Sequence, residues 1–376
     1  MNILITGGAG FIGSSLALAL IERGHSVTVL DNLSPQIHGY EAEHNSFLFQ
    51  RIKGKVSFVK GDVCKEADWE KVLPDQDVVV HLAAETGTGE SMYRIKKYTD
   101  VNIGGTSILL DLLANGKYHV SKLVVASSRA IYGEGKYLTS SGNYVYPESR
   151  KPERLTAGKF EVEFYGEEKL TLVATDEESK IHPTSVYGIT KQVQEQMVMT
   201  ICNAIQIAPV SFRYQNVYGP GQSLKNPYTG ILSIFSNLIK HGKSVNIFED
   251  GKESRDFVFI DDVIAATIAG IEMEAANGKV FNVGSGVATS VLEVAEALTK
   301  AYNINVPLEI SGDFRLGDIR HNVADITRIR QLLGFIPKVS FSEGIKLFAS
   351  WVNEQKFSLT DYDKSLKEMR SKGLMK

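Results

Sequence analysis

In the run Tyr187-Gly188-Ile189-Thr190-Lys191, a phenol and an ammonium stand four residues apart. On a helix that spacing puts both groups on one face, so the ammonium can sit beside the phenol and beside the ribose of a bound cofactor. A phenol of pKa ~10 is a poor base at neutral pH, but a neighbouring cation and an oxidised nicotinamide both favour its phenolate. Such a phenolate can take a proton from a hydroxyl while the attached carbon gives hydride to the cofactor. Tyr-x-x-x-Lys also recurs by chance, so its meaning depends on the elements around it.

The first of these elements opens the chain. Asn2 to Thr6 reads as a short buried strand, and Gly7-x-x-Gly10-x-x-Gly13, with Phe11 and Ile12 inside it, reads as a tight turn. Phe11 to Arg23 then has helical apolar spacing until Gly24 stops it. The N-terminus of such a helix can hold a pyrophosphate. The next strand, Ser26 to Leu30, ends in Asp31 and Asn32. A carboxylate at that point can bind both ribose hydroxyls and would repel a 2′-phosphate, which predicts NAD rather than NADP. Further strand-like runs at Val56–Val59, Asp77–His81, Lys122–Ala126 and Pro209–Arg213 alternate with helical stretches. That alternation predicts an α/β fold, a Rossmann-type doubly wound parallel sheet.

Composition narrows the function class. A net charge of −3 over 376 residues offers no basic field for nucleic acid. Two cysteines, Cys64 and Cys202, are too few for a disulfide framework or a closed metal site, so no metal is expected. No apolar run reaches membrane-spanning length, and the first strand starts at residue 2, so neither a membrane partner nor a signal peptide is expected and a cytoplasmic location is.

Five ordered motifs carry a specific resemblance: Thr6-Gly7-Gly8-Ala9-Gly10-Phe11-Ile12-Gly13, Gly61-Asp62-Val63, His81-Leu82-Ala83-Ala84, Ser127-Ser128-Arg129-Ala130-Ile131-Tyr132-Gly133 and Tyr187-Gly188-Ile189-Thr190-Lys191. Together they resemble the extended short-chain dehydrogenase/reductase family in its nucleotide-sugar epimerase/dehydratase branch, from residue 1 to about 350 with an interruption near 134–183. The resemblance implies that Asp62 and Val63 lie beside the adenine, that Leu82, Ala83 and Ala84 line the cofactor, and that Asn102 supports it. It implies a packing role for His81 and makes Ser128 the third member of a Ser128, Tyr187, Lys191 catalytic set. A hydroxyl there can stabilise charge on the reacting oxygen. Dehydratases of the family carry acidic residues just after that Ser or Thr; here stand Arg129 and Ala130, which weighs against dehydration and decarboxylation.

For the substrate, the resemblance implies contacts from Thr86, Ser128, Arg129 and Asn216, with Arg255, Arg315 and Asp318 around a nucleotide diphosphate. A planar guanidinium suits that task because it can bind two phosphate oxygens at once. Asn226 to Ile231 resembles a stretch of the dTDP-L-rhamnose 4-epimerase group and should lead into a helix covering the sugar nucleotide. These features imply NAD-dependent inversion at C4 of a nucleotide-diphosphate sugar through a 4-keto intermediate, most readily a dTDP-6-deoxyhexose such as dTDP-L-rhamnose. UDP-glucose or UDP-N-acetylglucosamine 4-epimerisation, inversion at C2 and reduction of a 4-keto sugar remain open, as does a non-enzymatic NAD-binding role. A homodimer through the Tyr187 helix and the helix near 100–115 is a further family expectation.

The expected organisation is an NAD-binding domain over 1–212, a smaller mixed α/β substrate lobe over 213–355 with segments returning to the first domain, and a helical tail over 356–376. Ser128 and Tyr187 lie 59 positions apart, leaving room for an excursion between them. Within it, Phe160–Phe164 alternates, Tyr165–Glu168 reads as a turn and Leu170–Val173 as a return strand, which predicts a β-hairpin. The tail, with Leu366, Met369 and Leu374 at helical spacing, reads as a solvated helix packed weakly on the body or a neighbouring subunit.

Overall fold

The computed structural model of the chain describes residues 1–167, 169–224, 230–355 and 362–376. Seven strands form its central sheet: β1 Asn2–Thr6, β2 Ser26–Asp31, β3 Ser57–Lys60, β4 Val78–His81, β5 Lys122–Ser128, β6 Ala208–Tyr214 and β7 Lys279–Val283. Their order is β7-β6-β5-β4-β1-β2-β3, and every neighbouring pair is parallel. β1, β4 and β5 are buried nearly throughout. That burial is why they read as continuous apolar runs without alternation.

Strand order reverses between β1 and β4, which opens a crevice at the carboxyl ends of the strands where open α/β sheets bind ligands. Helix α1, Phe11–Glu22, crosses from β1 to β2. Helix α2, Gly105–Ala114, precedes β5, and α3, Val186–Ala204, precedes β6. β7, drawn from the stretch beyond 212, returns late in the chain and pairs along β6 from Lys279↔Val210 to Val283↔Tyr214.

Residues beyond β6 build smaller sheets: Asn216–Tyr218 pairs in parallel with Ser254–Phe259, and Val245–Ile247 with Leu308–Ile310. Helix α4, Ile231–Lys240, follows Gly230; Asn226–Thr229, expected to lead into it, lie outside the described residues.

The excursion differs from its expected form. Leu170–Leu172 pairs antiparallel with Tyr137–Thr139, which pairs on its other edge with Tyr144–Val145. The hairpin therefore joins 137–139 to 144–145, and 170–172 adds a third strand. Among the described residues, Phe160–Phe164 makes only an isolated bridge, Phe164↔Glu167. Alternation there reflects burial of Val162 against Tyr137 and Val145 and use of Glu161 in an ion pair, not a paired strand. Glu168, the last residue of the expected turn, is outside the described residues.

Candidate active site

A cavity of about 440 Å³ opens at the carboxyl ends of β1, β2, β4 and β5, lined by Gly7, Gly10, Phe11, Ile12 and Gly13 of the turn. The turn tolerates nothing larger at Gly13, where a Cβ would stand 2.3 Å from the Gly7 carbonyl oxygen. No side chain caps α1, so its first N–H groups remain for an anionic ligand.

Asp31 lines the same cavity. Its carboxylate accepts from Ala9 N at 3.0 Å and from Leu33 N at 2.8 Å, with His38 Nε2 3.8 Å away. Burial pushes this carboxyl up, against the pull of the two N–H groups and of His38. Asn32, Asp62, Val63, Leu82, Ala83, Ala84 and Thr86 also line the cavity. His81 is sealed in the core between Thr6 Oγ1 at 2.7 Å and Thr106 Oγ1 at 3.0 Å, and burial lowers its pKa to about 3.

Asn102 is not at the cavity surface. Fully buried in a π-helical turn, Thr99–Gly104, it accepts from Glu85 N and donates to Glu85 O and Thr190 Oγ1. It ties the loop after β4 to α3, and so acts on the cavity through the loop. Tyr98, which the motifs gave no reason to select, donates to Thr86 O at 2.6 Å and meets the Tyr187 ring edge to face at 6.4 Å.

Ser128 ends β5 and Tyr187 begins α3. Ser185 caps α3 by accepting from Gly188 N, and Ser91 Oγ accepts from Tyr187 N. A Cβ on Gly188 would stand 2.6 Å from Ala130 O, so glycine lets α3 press on the turn after Ser128. Burial raises the Tyr187 phenol pKa, while the nearby Ser128 hydroxyl and the Arg129 charge pull it back. Lys191 is 2% exposed and donates to Gln194 Oε1 at 2.5 Å. Burial lowers its pKa to about 7, with Glu195 opposing. Arg129 is a cation that favours the phenolate, and the motifs did not mark it for that role.

A second cavity of about 290 Å³ adjoins the first, and Tyr187 lines both. Arg129, Asn216, Arg255, Arg315 and Asp318 line the second one, and Arg129 Nε donates to Asn216 Oδ1 at 3.1 Å. Burial, with Arg255 adding to it, brings the Arg129 pKa down to about 10. Burial also disfavours the Asp318 carboxylate, but Arg255, Arg315, Arg150 and Arg129 together hold its pKa below the usual range.

Arg255 is more committed than expected. Its Nη1 donates to Ser254 O and Arg320 O, and its Nη2 to Ile319 O and Asp318 Oδ1. Four of its five N–H groups are spent on the protein, so it shapes the 318–320 loop and has one donor left for a ligand. Arg315 stacks over Phe248 at 4.9 Å. Two further residues escaped the sequence reading: His38 on the first cavity, and Glu253 on the second, whose carboxyl burial raises to about 7. Neither belongs to a motif, and only the fold brings them to the walls.

The sequence profile of the NAD dependent epimerase/dehydratase family matches residues 3–152 and 162–284. The chain belongs to this family. The gap at 153–161 is far shorter than the interruption expected over 134–183, so most of the excursion aligns with family members. The chain is 38% identical over 356 residues to dTDP-L-rhamnose 4-epimerase of Burkholderia thailandensis, covering 94% of this chain and 95% of that protein. It is 32% identical to UDP-glucose 4-epimerase of Mycolicibacterium smegmatis, covering 92% and 96% of the two chains. Among solved structures, UDP-glucose 4-epimerase of Thermotoga maritima with UDP-glucose superposes with a TM-score of 0.77 at 30% identity, covering 94% of this chain and 99% of that one. UDP-glucuronic acid 4-epimerase of Bacillus cereus, solved with UDP-glucuronic acid and NAD, gives a TM-score of 0.77 at 27% identity and the same coverages.

Proposed function

We propose that the chain is an NAD-dependent nucleotide-sugar 4-epimerase acting on a dTDP-6-deoxyhexose such as dTDP-L-rhamnose. The observation that carries this reading is the position of Tyr187, on the wall shared by two cavities, with Ser128 lining the first of them beside it. The first cavity fits NAD: a glycine turn without room for a side chain, an uncapped helix N-terminus and the Asp31 carboxylate. NAD held there by these residues would supply the hydride acceptor for C4 of the sugar and the donor for its return to the opposite face. Tyr187 takes the C4 hydroxyl proton as the 4-keto sugar forms and gives it back afterwards. Ser128 orients the reacting oxygen, and Lys191 supplies a donor to the ribose. Arg129, Asn216, Arg315, Thr86, Asp318 and the remaining N–H of Arg255 form the polar frame for the diphosphate and sugar. The first choice of sugar nucleotide draws on the likeness to the Burkholderia enzyme.

We assign the NAD-binding part to residues 1–212 and the sugar-nucleotide lobe to 213–355, with β7 and the helix Ile260–Glu272 reaching back to the central sheet. A homodimer through α2 and α3 is proposed as well; Ile189 on α3 is 47% exposed. Sedimentation equilibrium at micromolar concentration would show twice the mass of 41.4 kDa. Among the described residues no helix is long and apolar enough to cross a membrane. With two free thiols, a reducing cytoplasm is the proposed setting.

The deciding experiment incubates the purified protein, without added cofactor, with dTDP-, UDP- and GDP-sugars and resolves epimers by NMR. Inversion at C4 without net NADH is the expected result. Turnover only after NADH or NADPH is supplied, with stoichiometric oxidation, would make the protein a 4-keto-sugar reductase instead.

A further inference from the structure

The C-terminal tail does not lie loosely on the surface. Leu366, Met369 and Met375 are 7%, 4% and 3% exposed and belong to the main core. Beyond helix α5, Tyr362–Ser371, the last residues pair with the chain around Arg315. Phe314 N donates to Lys376 O at 2.9 Å, Lys376 N to Phe314 O at 3.1 Å and Leu316 N to Leu374 O at 3.0 Å. Arg370 bonds Asp313 at 2.7 Å. On its other side the tail reaches the loop after β4: Lys372 lies 4.9 Å from the Tyr93 ring centre, and a Cβ on Gly89 would stand 3.3 Å from the Met369 sulfur. Met369 lines the second cavity together with Gly87, Thr88, Gly89 and Tyr187.

We propose that Leu366–Lys376 is part of the substrate site, with Met369 as the apolar wall for the C5–C6 end of the sugar and the 374–376 backbone pairing as the brace that holds Arg315 toward the diphosphate. This rests on the sugar-nucleotide reading above. Met369 shares the lining of the second cavity with Tyr187 and Gly87–Gly89, which mark its sugar end, and with Arg255 and Arg315. A thioether packs well against a methyl group and offers almost nothing to a hydroxyl. A 6-hydroxyl buried against it would lose its hydrogen bonds to water without replacement. The tail thereby selects 6-deoxy sugars.

Calorimetric binding tests this independently of turnover, using the full-length NAD-loaded protein. The probes are dTDP, dTDP-6-deoxy-D-glucose and dTDP-D-glucose, the last two differing only in the 6-hydroxyl. Wild type should favour the 6-deoxy sugar, and Met369→Gln should reduce that preference about tenfold while leaving the dTDP affinity within about twofold. Deleting residues 374–376 should weaken dTDP itself about tenfold, the scale of one charge-assisted contact. An unchanged 6-deoxy preference in Met369→Gln, or an equal loss of dTDP and sugar-nucleotide affinity, would overturn the wall. Unchanged dTDP affinity after truncation would overturn the brace. Should the truncated chain fail to fold, Arg370→Ala, which cuts the exposed tie to Asp313, reads the brace by the same dTDP titration. Absence of any epimerisation alongside the expected binding ratios would instead sink the proposed activity and leave the tail's role standing.

Discussion

Tyr187 gains its character from neighbours that differ in kind. Burial works against its phenolate, and the Ser128 hydroxyl and Arg129 charge work for it. Tyr187→Phe should lower kcat roughly 10³-fold with NAD content unchanged, read by NMR assay and by cofactor release on denaturation. Removing the Arg129 cation leaves burial less opposed, so the phenol pKa rises. In Arg129→Met the limb of the kcat–pH profile that requires phenolate should therefore move to higher pH; an unmoved limb would exclude Arg129 from tuning the phenol.

Lys191 has a stability consequence of opposite sign to the usual ion pair. Its pKa falls from 10.5 to about 7 on folding, so the folded state binds the proton less well than the unfolded one. The resulting penalty is full below about pH 7 and fades as pH rises toward 10.5, with an upper limit of roughly 5 kcal/mol. Lys191→Met in cofactor-stripped protein should raise Tm relative to wild type more at pH 6 than at pH 10, by differential scanning calorimetry.

At the scale of elements, the site exists because α3 presses against the turn that ends β5. Ala130 O and Pro183 Cβ stand 2.6 and 2.9 Å from where a Gly188 Cβ would be. Gly188→Ala must push the helix away and should cost about 1–3 kcal/mol in urea unfolding, as overpacking does. Because Tyr187 adjoins that contact, kcat should fall more than about tenfold while KM changes little. Asn102 belongs to the same scale, since it links the Glu85 loop to Thr190 on α3 and makes no cavity wall itself. Its residue type was legible from the family motif. Its route of action was not, because a spacing in sequence says nothing about which way an amide is turned.

Across the whole molecule, a buried charge cluster fastens the excursion to the sugar-nucleotide lobe. Arg320, fully buried, pairs with Glu161, Glu249 and Asp250, and its backbone N–H donates to Glu134. Arg150 pairs with Glu249 and donates to Asp318 O beside the second cavity. Arg320→Ala would leave Glu161 and Asp250 without their main counter-charge, while Glu249 keeps Arg150; it should cost about 2–4 kcal/mol, measured by denaturant unfolding, and a loss below about 1 kcal/mol would mean the cluster is solvated and dispensable.

The sequence by itself determined the parallel sheet and the glycine turn at its crevice, and it singled out Ser128, Tyr187 and Lys191 as candidates. Each of those depends on local signals: an apolar run bounded by turns, glycines at fixed offsets, and two side chains one helical turn apart. Only the tertiary structure decided the pairing of Leu170–Leu172 with Tyr137–Thr139, the entry of β7 into the sheet and the return of the tail to Arg315. Those choices join segments far apart in the chain, where the deciding energy is burial against a distant partner that no local pattern specifies. The same holds for Arg255, whose type suited a phosphate but whose donors the folded chain turns to its own carbonyls.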